Sequence, residues 1–443
     1  MLKNYKVKSL RERKTASLGK WILYITIVFF FIYDCYFLHF SLTSNLIITI
    51  FGFFIFFLTA FANKEKRIHD NTLFGIILVL LMFLYALSVQ VINSTSDSSF
   101  LYNELTRNIV LPFFSSYLVA FLGTKMNLSL RDLCKIMVCV SVIQCVIIML
   151  CFFNESFKEI IMSIQTIGER ELNILNANIR SVGLGTRFDW GSFTMSNMML
   201  ICSYLYLTSS KSKKRFGYIA IWILQAFSGM LLARSIIIGI VISILLVILS
   251  SENIVKKLSF VLKLLITILS SIIIILNLFP DLFIKRSDTF DWMFQYMLHS
   301  SNNSGVDTLN TLSEKMYFLP NKLSTLLYGD GLFRDERGYP YMNTDPLIMR
   351  YILYWGIPGL LLFFLYIANI VDALKKYVDI YYADEFDNKT LKLFFSLSFI
   401  LICVIYFKLN YHLIKVLYLY CWYFYFYEYT LLKPEQLSKQ RKD

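Results

Sequence analysis

The strongest constraint on this chain is a series of apolar runs, each about twenty residues long and poor in charged residues. An α-helix rises about 1.5 Å per residue, so roughly twenty residues cross the hydrocarbon core of a bilayer, which is about 30 Å thick. Only 16% of the 443 residues are charged, compared with about 25% in an ordinary soluble domain. The sequence therefore predicts an all-α polytopic membrane protein and excludes a soluble cytosolic enzyme.

Twelve of these runs are predicted to be transmembrane helices. They cover residues 21–40, 44–61, 72–93, 109–123, 133–153, 191–209, 216–233, 235–250, 258–280, 346–371, 391–407 and 412–431. The first run is expected to be retained, because a long basic stretch precedes it and no small-residue cleavage site follows it. Residues 1–443 are thus predicted to form a single integral membrane domain.

Lysine and arginine are distributed unevenly between the two sets of predicted loops. An even number of spans puts both termini on one side, and the tails and loops of that side hold 27 Lys and Arg against 12 on the other. Because Lys and Arg are enriched in cytoplasmic loops, both termini are predicted to be cytoplasmic. The net charge of +13 then reflects topology, and no nucleic-acid partner is expected.

The sequence lacks the motifs of several common enzyme classes. Its eight cysteines and four histidines show no metal-ligand spacing. It contains neither a phosphate-binding Gly-Lys-Ser/Thr loop nor a G-x-S-x-G nucleophile motif. No metal or other cofactor is therefore expected, and neither is a cytoplasmic ATP-driven motor.

The two longest polar segments on the predicted outer side are residues 154–190 and 281–345. The second is expected to be partly helical, with one helix capped by Ser287 and another over 307–319. The outer side carries eight arginines and four lysines, whereas the cytoplasmic side is rich in lysine. A guanidinium matches phosphate or carboxylate through two hydrogen bonds, which favours an anion-binding site. The alternative is that these arginines are exposed and paired with loop acids.

The first outer loop and the turn after the seventh span supply the first candidates. Arg180 and Arg187 flank Gly183 and Gly185, and glycines let a ligand approach the backbone closely. Arg234 lies in a very short turn between two spans. An arginine held there is either functional or snorkels to lipid headgroups, and both readings remain open.

The end of the second loop supplies a further set around a predicted helix start. Asp345 precedes Pro346, which is typical of an N-cap followed by the first helical residue, and a catalytic role can coexist with capping. Arg350 lies about 7 Å further along the helix by rise alone, a depth at which it needs an anionic partner or a polar cavity. The glycine turn and the arginines before this helix are Gly329, Gly331, Arg334 and Arg337.

Aromatic residues in the outer loops have flat apolar faces that can stack on a ligand. An ordinary packing role or an interfacial position is the commoner use of such residues. The three candidates are Trp190, Trp292 and Tyr341.

The overall pattern resembles that of the Wzy-type O-antigen polymerases, which are related to the O-antigen ligases. The resemblance covers nearly the whole chain as topology and rests locally on three features in order. These are the Arg-x10-Gly spacing from Arg180 to Gly191, the turn Ala233-Arg234-Ser235, and the series 328–331, 343–345 and 354–359. The chain departs from the pattern in two ways. The second loop lacks its own Arg-x10-Gly, and Asn343 and Asp345 stand where ligases commonly carry histidine, which favours a polymerase.

The resemblance implies a GT-C-like fold in the bacterial inner membrane and a metal-independent glycosyltransferase. Such an enzyme joins oligosaccharide units carried on undecaprenyl diphosphate at the periplasmic face, as part of lipopolysaccharide or other polysaccharide biosynthesis. It implies Asp345 as the candidate general base and a chain-length regulator as a candidate partner. The implied diphosphate ligands are Arg180, Arg187, Arg234, Arg334, Arg337 and Arg350. The implied role of Trp190, Trp292 and Tyr341 is sugar stacking. An O-antigen ligase and a lipid-linked glycan flippase remain the alternatives.

Overall fold

The computed structural model describes residues 17–37, 42–62, 70–176, 180–250, 254–278, 315–382, 385–409 and 413–439, together with Glu252, Thr289 and Trp292. The predicted helices over 287–297 and 307–319 therefore lie almost wholly outside the described residues. The first half of the chain forms α1 (Leu18–Ile32), α2 (Ser44–Ala62), α3 (Asp70–Ile92), a π-helix (Leu101–Val110), α4 (Leu111–Lys125), α5 (Leu130–Phe153), α6 (Glu155–Ile164) and α7 (Glu169–Asn176). The second half forms β1 (Val182–Gly183), β2 (Thr186–Arg187), α8 (Phe188–Leu207), α9 (Ser212–Leu232), α10 (Ile236–Leu249), α11 (Ile254–Leu278), α12 (Leu323–Tyr328), α13 (Leu347–Tyr381), α14 (Glu385–Lys408) and α15 (Ile414–Lys439).

A helix lies at each of the twelve predicted spans. Within the described residues, seven helices are long and apolar enough to cross a membrane, and α1 and α10 are shorter apolar helices. The all-α multi-pass membrane class is therefore confirmed, while the count of twelve crossings remains a prediction. The one sheet in the described part of the chain is the two-residue antiparallel hairpin of β1 and β2.

Helix α8 lies at the centre of the bundle. Every residue from Gly191 to Leu207 is buried, and α8 packs against α5, α9, α10 and α14. Its neighbours shield it from lipid, so it can carry buried polar side chains such as Ser196 and Asn197. These polar residues also explain why α8 is not among the seven helices that are long and apolar enough to cross a membrane. By contrast, only 22% of the most apolar stretch of α2 or α3 is buried, which places both at the periphery.

The end of α1 differs from the prediction, which placed it at residue 40. The helix ends at Ile32, where the Nζ of the buried Lys415 donates to the carbonyls of Phe31 and Ile32 at 2.8 Å each. The last carbonyls of a helix have no partner within it and carry partial negative charge, so a cation stabilises them. Asp34 stabilises the first turn of α2, because its Oδ1 accepts a hydrogen bond from Asn45 N at 3.0 Å. Partners distant in sequence thus set these helix ends.

Helix α13 is kinked in its N-terminal half. Trp355 and Gly356 leave the helical conformation, and Gly356 has a φ of +72°. Pro358 follows within the helix and has no N–H, so the carbonyl of Tyr354 has no donor four residues later. In a hydrocarbon environment an unbonded carbonyl is costly and must find another donor.

The glycine turn after α12 supplies the missing donors. Asp330 N donates to Leu353 O at 2.7 Å, and Gly331 N donates to Tyr354 O at 3.0 Å. Gly329 has a φ of +78°, and a Cβ there would lie 2.1 Å from Tyr354 O. The turn is therefore fixed to the kink by main-chain bonds that only glycine at 329 allows.

A loop after α3 fixes the next residues of the second outer segment. Asp97 Oδ2 accepts from the backbone N–H groups of Phe333 at 2.6 Å and Arg334 at 2.9 Å, while Oδ1 accepts from Ser99 N at 2.9 Å. Burial raises the pKa of Asp97, but the hydrogen bonds from Ser99, Arg334 and Phe333 outweigh it, so the net pKa is lowered. The ionised carboxylate therefore joins two predicted outer segments.

We expect Asp97→Asn to lower the free energy of unfolding by about 1–2 kcal/mol at pH 7, because the amide nitrogen that replaces one oxygen cannot accept and the remaining hydrogen bonds become neutral. A carboxylate with a lowered pKa contributes stability above its unfolded pKa of about 4 and loses it as the pH falls through the folded value. The difference in melting temperature between the two proteins should therefore shrink below about pH 4. Asp372→Asn, which removes only an exposed pair with Lys376, is the control. A difference that does not change with pH would contradict the assignment.

Candidate functional site

Two arginines from separate predicted outer segments converge on one aromatic ring. The Cζ of Arg180 lies 4.6 Å from the centroid of the Trp292 ring, and that of Arg234 lies 5.3 Å from it. Arg180 also lies 5.0 Å from the ring of Phe188. The segment that carries Arg180 is bound to the end of α9, because Ser181 N donates to Leu231 O at 2.9 Å. Guanidinium groups stack favourably on aromatic rings, which orients both side chains.

Asp189 at the start of α8 organises the surroundings of these arginines. Its Oδ1 accepts from Lys408 Nζ at 2.5 Å and from Ser235 Oγ at 2.5 Å, which connects α8 to the end of α14 and the start of α10. We name Arg180, Asp189, Arg234, Trp292 and Lys408 the arginine cluster. It combines three cations with one carboxylate.

The electrostatics of the arginine cluster favour an additional anion. Burial and the charge of Arg234 lower the pKa of Arg180 from its usual value, and the charge of Asp189 only partly opposes them. Arg180 keeps its proton at physiological pH because an arginine pKa starts above 12. The lowered pKa therefore reflects burial first, together with repulsion between the two guanidinium groups. A phosphate placed there would relieve the repulsion.

A second polar region is a cavity of about 440 Å³ among the end of α1, the start of α2, the π-helix, the first outer loop and the second outer loop. Trp190 lines this cavity, and its neighbour Asp189 belongs to the arginine cluster, so the first turn of α8 contributes to both. Amide side chains such as Asn103 and Asn108 also line it. Its charged lining residues are Asp34, Glu104, Arg107, Arg334, Arg350 and Lys415.

Arg350 is the cavity arginine whose surroundings are most informative. Its Cζ lies 3.8 Å from the centroid of the Phe333 ring. Its Nε is buried and has no hydrogen-bond partner among the described residues. The charges of Glu104 and Asp345 attract it, and that of Arg334 repels it. Arg350 thus lines a polar cavity, which is one of the two environments expected for an arginine at this depth.

The four candidate glycines approach protein groups closely. A Cβ at Gly183 would meet the side chains of Gln144 and Thr186, and one at Gly331 would meet Thr95. Gly329 packs on the kink of α13, as described above. Of the four, Gly185 lines the cavity, and with a φ of +69° it packs its backbone on Cys35 and Asp34.

The structure does not bring every predicted residue to these two regions. Asp345 is exposed and is not among the residues that line the cavity. Its predicted role as N-cap is wrong: the cap of α13 is Pro346, without a side-chain cap hydrogen bond, and the helix begins at Leu347. Proline itself occupies the cap because its φ of −59° and ψ of 130° suit the extended conformation before the helix.

Two other candidates also lie apart from the arginine cluster and the cavity lining, and a third, Arg187, is described only through its backbone. Arg337 is exposed and contacts Asp335 at 3.6 Å. Tyr341 Oη donates to Asp330 Oδ2 at 3.4 Å, so it supports the glycine turn. The backbone of Arg187 pairs with Val182 in the hairpin, and its side chain lies outside the described part of the structure.

An apolar cleft of about 480 Å³ opens among α2, α3, α4, α13 and α15. Its lining is largely aromatic and aliphatic, including Phe113, Phe114 and Trp422. The π-helix and α4 form one continuous helix, Leu101–Lys125. This helix contributes Glu104 and Arg107 to the polar cavity and its next turns to the apolar cleft.

No protein-family model, curated protein or solved structure matches this chain. The functional assignment therefore depends on the residues of the site alone. Among the described residues, no group of three or more His, Cys, Asp or Glu side chains could hold a metal ion.

Several site residues were not predicted from the sequence. Lys408 and Lys415 looked like ordinary charges at the ends of spans, and Glu104 looked like part of a short polar loop. Glu104 could have been recognised in the sequence because it lies three residues before Arg107, in a segment that directly precedes an apolar run. That spacing places two opposite charges near one another on a helix.

Proposed function

We propose that the protein is a membrane glycosyltransferase of the Wzy type. It would join oligosaccharide units carried on undecaprenyl diphosphate into O-antigen or a related surface polysaccharide, at the periplasmic face of the bacterial inner membrane. The observation that carries the proposal is the convergence of Arg180 and Arg234 on Trp292, next to Lys408. Two converging guanidinium groups beside a lysine suit a lipid diphosphate as leaving group.

In this reaction the bond between the anomeric carbon and the diphosphate oxygen breaks, and its electron pair stays on the diphosphate. The negative charge that develops there needs preorganised donors, each of which typically accelerates a reaction by about 100- to 1,000-fold. Arg180 and Arg234 supply these donors. Asp189 and the Trp292 ring hold the groups of the arginine cluster in place, so little reorganisation is needed when the charge appears.

The proposed reaction uses two lipid-linked substrates, the growing chain and the incoming unit, and each carries a diphosphate. The two cationic regions meet this requirement, with the growing chain bound at the arginine cluster and the incoming unit in the cavity near Arg334 and Arg350. The apolar cleft supports an amphiphilic substrate, because the helix Leu101–Lys125 contributes to both the polar cavity and the cleft. Trp190 lines the cavity and is the best placed of the proposed sugar-stacking residues.

The decisive experiment is chain extension by the purified protein in lipid nanodiscs. Lipid-linked repeat units extracted from the native host after deletion of this gene would serve as both substrates, without nucleotide and with a chelator present. We expect a ladder of lengthened lipid-linked glycans, and deletion cells are expected to carry single units on their surface acceptor. Transfer only to lipid A core would indicate a ligase. Units retained on the cytoplasmic face of deletion cells would indicate a flippase.

A further inference from the structure

Glu104 is a buried carboxylate in the wall of the polar cavity. Only 1% of its surface is exposed, and it lies on the π-helix that runs from Leu101 to Val110. π-Helical segments are rare and occur frequently at functional sites. A carboxylate is expensive to bury without compensation, so its surroundings need an explanation.

The partners of Glu104 hold it in place. Its Oε2 accepts from Tyr351 Oη at 3.3 Å and from Asn108 Nδ2 at 3.4 Å. Both distances are at the long end for hydrogen bonds. The charge of Arg350 compensates that of Glu104 from the facing helix, α13. The carboxylate is therefore held between its own helix and α13 while it lines the cavity, where a ligand hydroxyl can reach it.

The same turn of the π-helix presents groups that suit a sugar. Asn103, Arg107 and Asn108 line the cavity together with Glu104, and Arg107 is oriented by the ring of Tyr36, 5.3 Å from its Cζ. Amide, guanidinium and carboxylate groups together offer donors and acceptors for adjacent sugar hydroxyls. Asp345 offers no comparable environment, since it is exposed and outside the cavity lining.

We propose that the cavity wall formed by the π-helix binds the acceptor sugar and that Glu104, instead of Asp345, is the general base. This inference rests on the proposed function. The acceptor hydroxyl gives its proton to the Glu104 carboxylate while its oxygen forms the new bond to the anomeric carbon of the donor. The bond from that carbon to the diphosphate oxygen breaks at the same time, and the diphosphate leaves with the electron pair at the arginine cluster. The proton returns to water when the product leaves.

The test compares Glu104→Gln with Asp345→Asn in the nanodisc extension assay. Glutamine keeps the size and can still accept from Tyr351, so folding should be retained, as judged by the melting temperature. General bases typically contribute about 100- to 10,000-fold. We expect Glu104→Gln to reduce kcat by at least about 100-fold, with undecaprenyl diphosphate binding unchanged. Asp345→Asn should stay within about threefold of wild type, well below that contribution.

A second variant keeps the inference testable if Glu104→Gln proves unstable. Glu104→Asp retains the charge beside Arg350 but withdraws the carboxylate by one methylene, so kcat should fall by about tenfold or more and KM for the donor should not change. Full activity of either Glu104 variant would overturn the inference while the proposed function stands. Loss of activity in Asp345→Asn alone would do the same. Absence of chain extension by the wild-type protein would overturn both.

Discussion

Arg180→Ala is expected to reduce the rate of chain extension by about 100- to 1,000-fold, because it removes a preorganised donor from the site where diphosphate charge develops. Arg180→Lys should recover only part of this loss. Lysine keeps the charge but lacks the planar fork that stacks on the Trp292 ring and binds phosphate through two hydrogen bonds. The measurement is the initial rate of ladder formation in nanodiscs, together with undecaprenyl diphosphate binding by native mass spectrometry.

Arg337→Ala is the matched control for Arg180→Ala. Arg337 belongs to the same set of predicted outer arginines, but it is exposed, and its ion pair within the described residues is with a loop acid, Asp335. Exposed ion pairs contribute about 0–1 kcal/mol, so this variant should keep nearly the full rate. Equal losses in the two variants would indicate a general effect of outer positive charge. A full rate in Arg180→Ala would exclude the arginine cluster as the diphosphate site.

Gly329→Ala is expected to have the largest effect on stability, roughly 3–5 kcal/mol. With a φ of 78° and a ψ of 178°, Gly329 lies in a region that is strained by about 1–3 kcal/mol for other residues. A Cβ there would also lie 2.1 Å from Tyr354 O, so the turn must move off α13. The two main-chain bonds from Asp330 and Gly331 would then be lost, at about 1 kcal/mol each.

Gly338→Ala separates backbone strain from the steric clash. Gly338 has a φ of +82°, but a Cβ there would meet nothing within 4 Å. We expect a loss of about 1–2 kcal/mol for strain alone. Melting temperatures in detergent should therefore fall much further for Gly329→Ala, and chain extension should fall with them, because the turn positions Arg334. Similar melting temperatures for the two variants would show that the contact with the kink does not contribute to stability.

The sequence predicted where the helices lie better than where they end. Apolar runs correctly located a helix for every predicted span, because burial in lipid or in the bundle requires apolar side chains over the whole length. The end of α1 depends on Lys415, and the kink of α13 is bonded by a turn more than twenty residues earlier. The hairpin of β1 and β2 was not predicted, since strands of two residues have no periodicity to detect.

Only part of the candidate site could be predicted. Arg180 and Arg234 stood out because arginine is unusual where lysine would suffice for topology, and the structure brings them together at Trp292. Asp345 was favoured by its place before a proline, a local signal that says nothing about burial. Glu104 and Lys408 acquire their surroundings only through contacts between distant helices. Those contacts could not be inferred from spacing in a single sequence.

The bonding of the glycine turn to the kink of α13 determines which parts of the second outer segment can change during evolution. Asp330 and Gly331 bind the kink through main-chain N–H groups, so their positions do not depend on side-chain chemistry. The exposed side chains of Glu336, Arg337 and Tyr339 can vary without displacing this turn. One scaffold can therefore diversify this exposed surface, while Gly329 and Gly356 preserve the frame that holds Arg334 and Arg350.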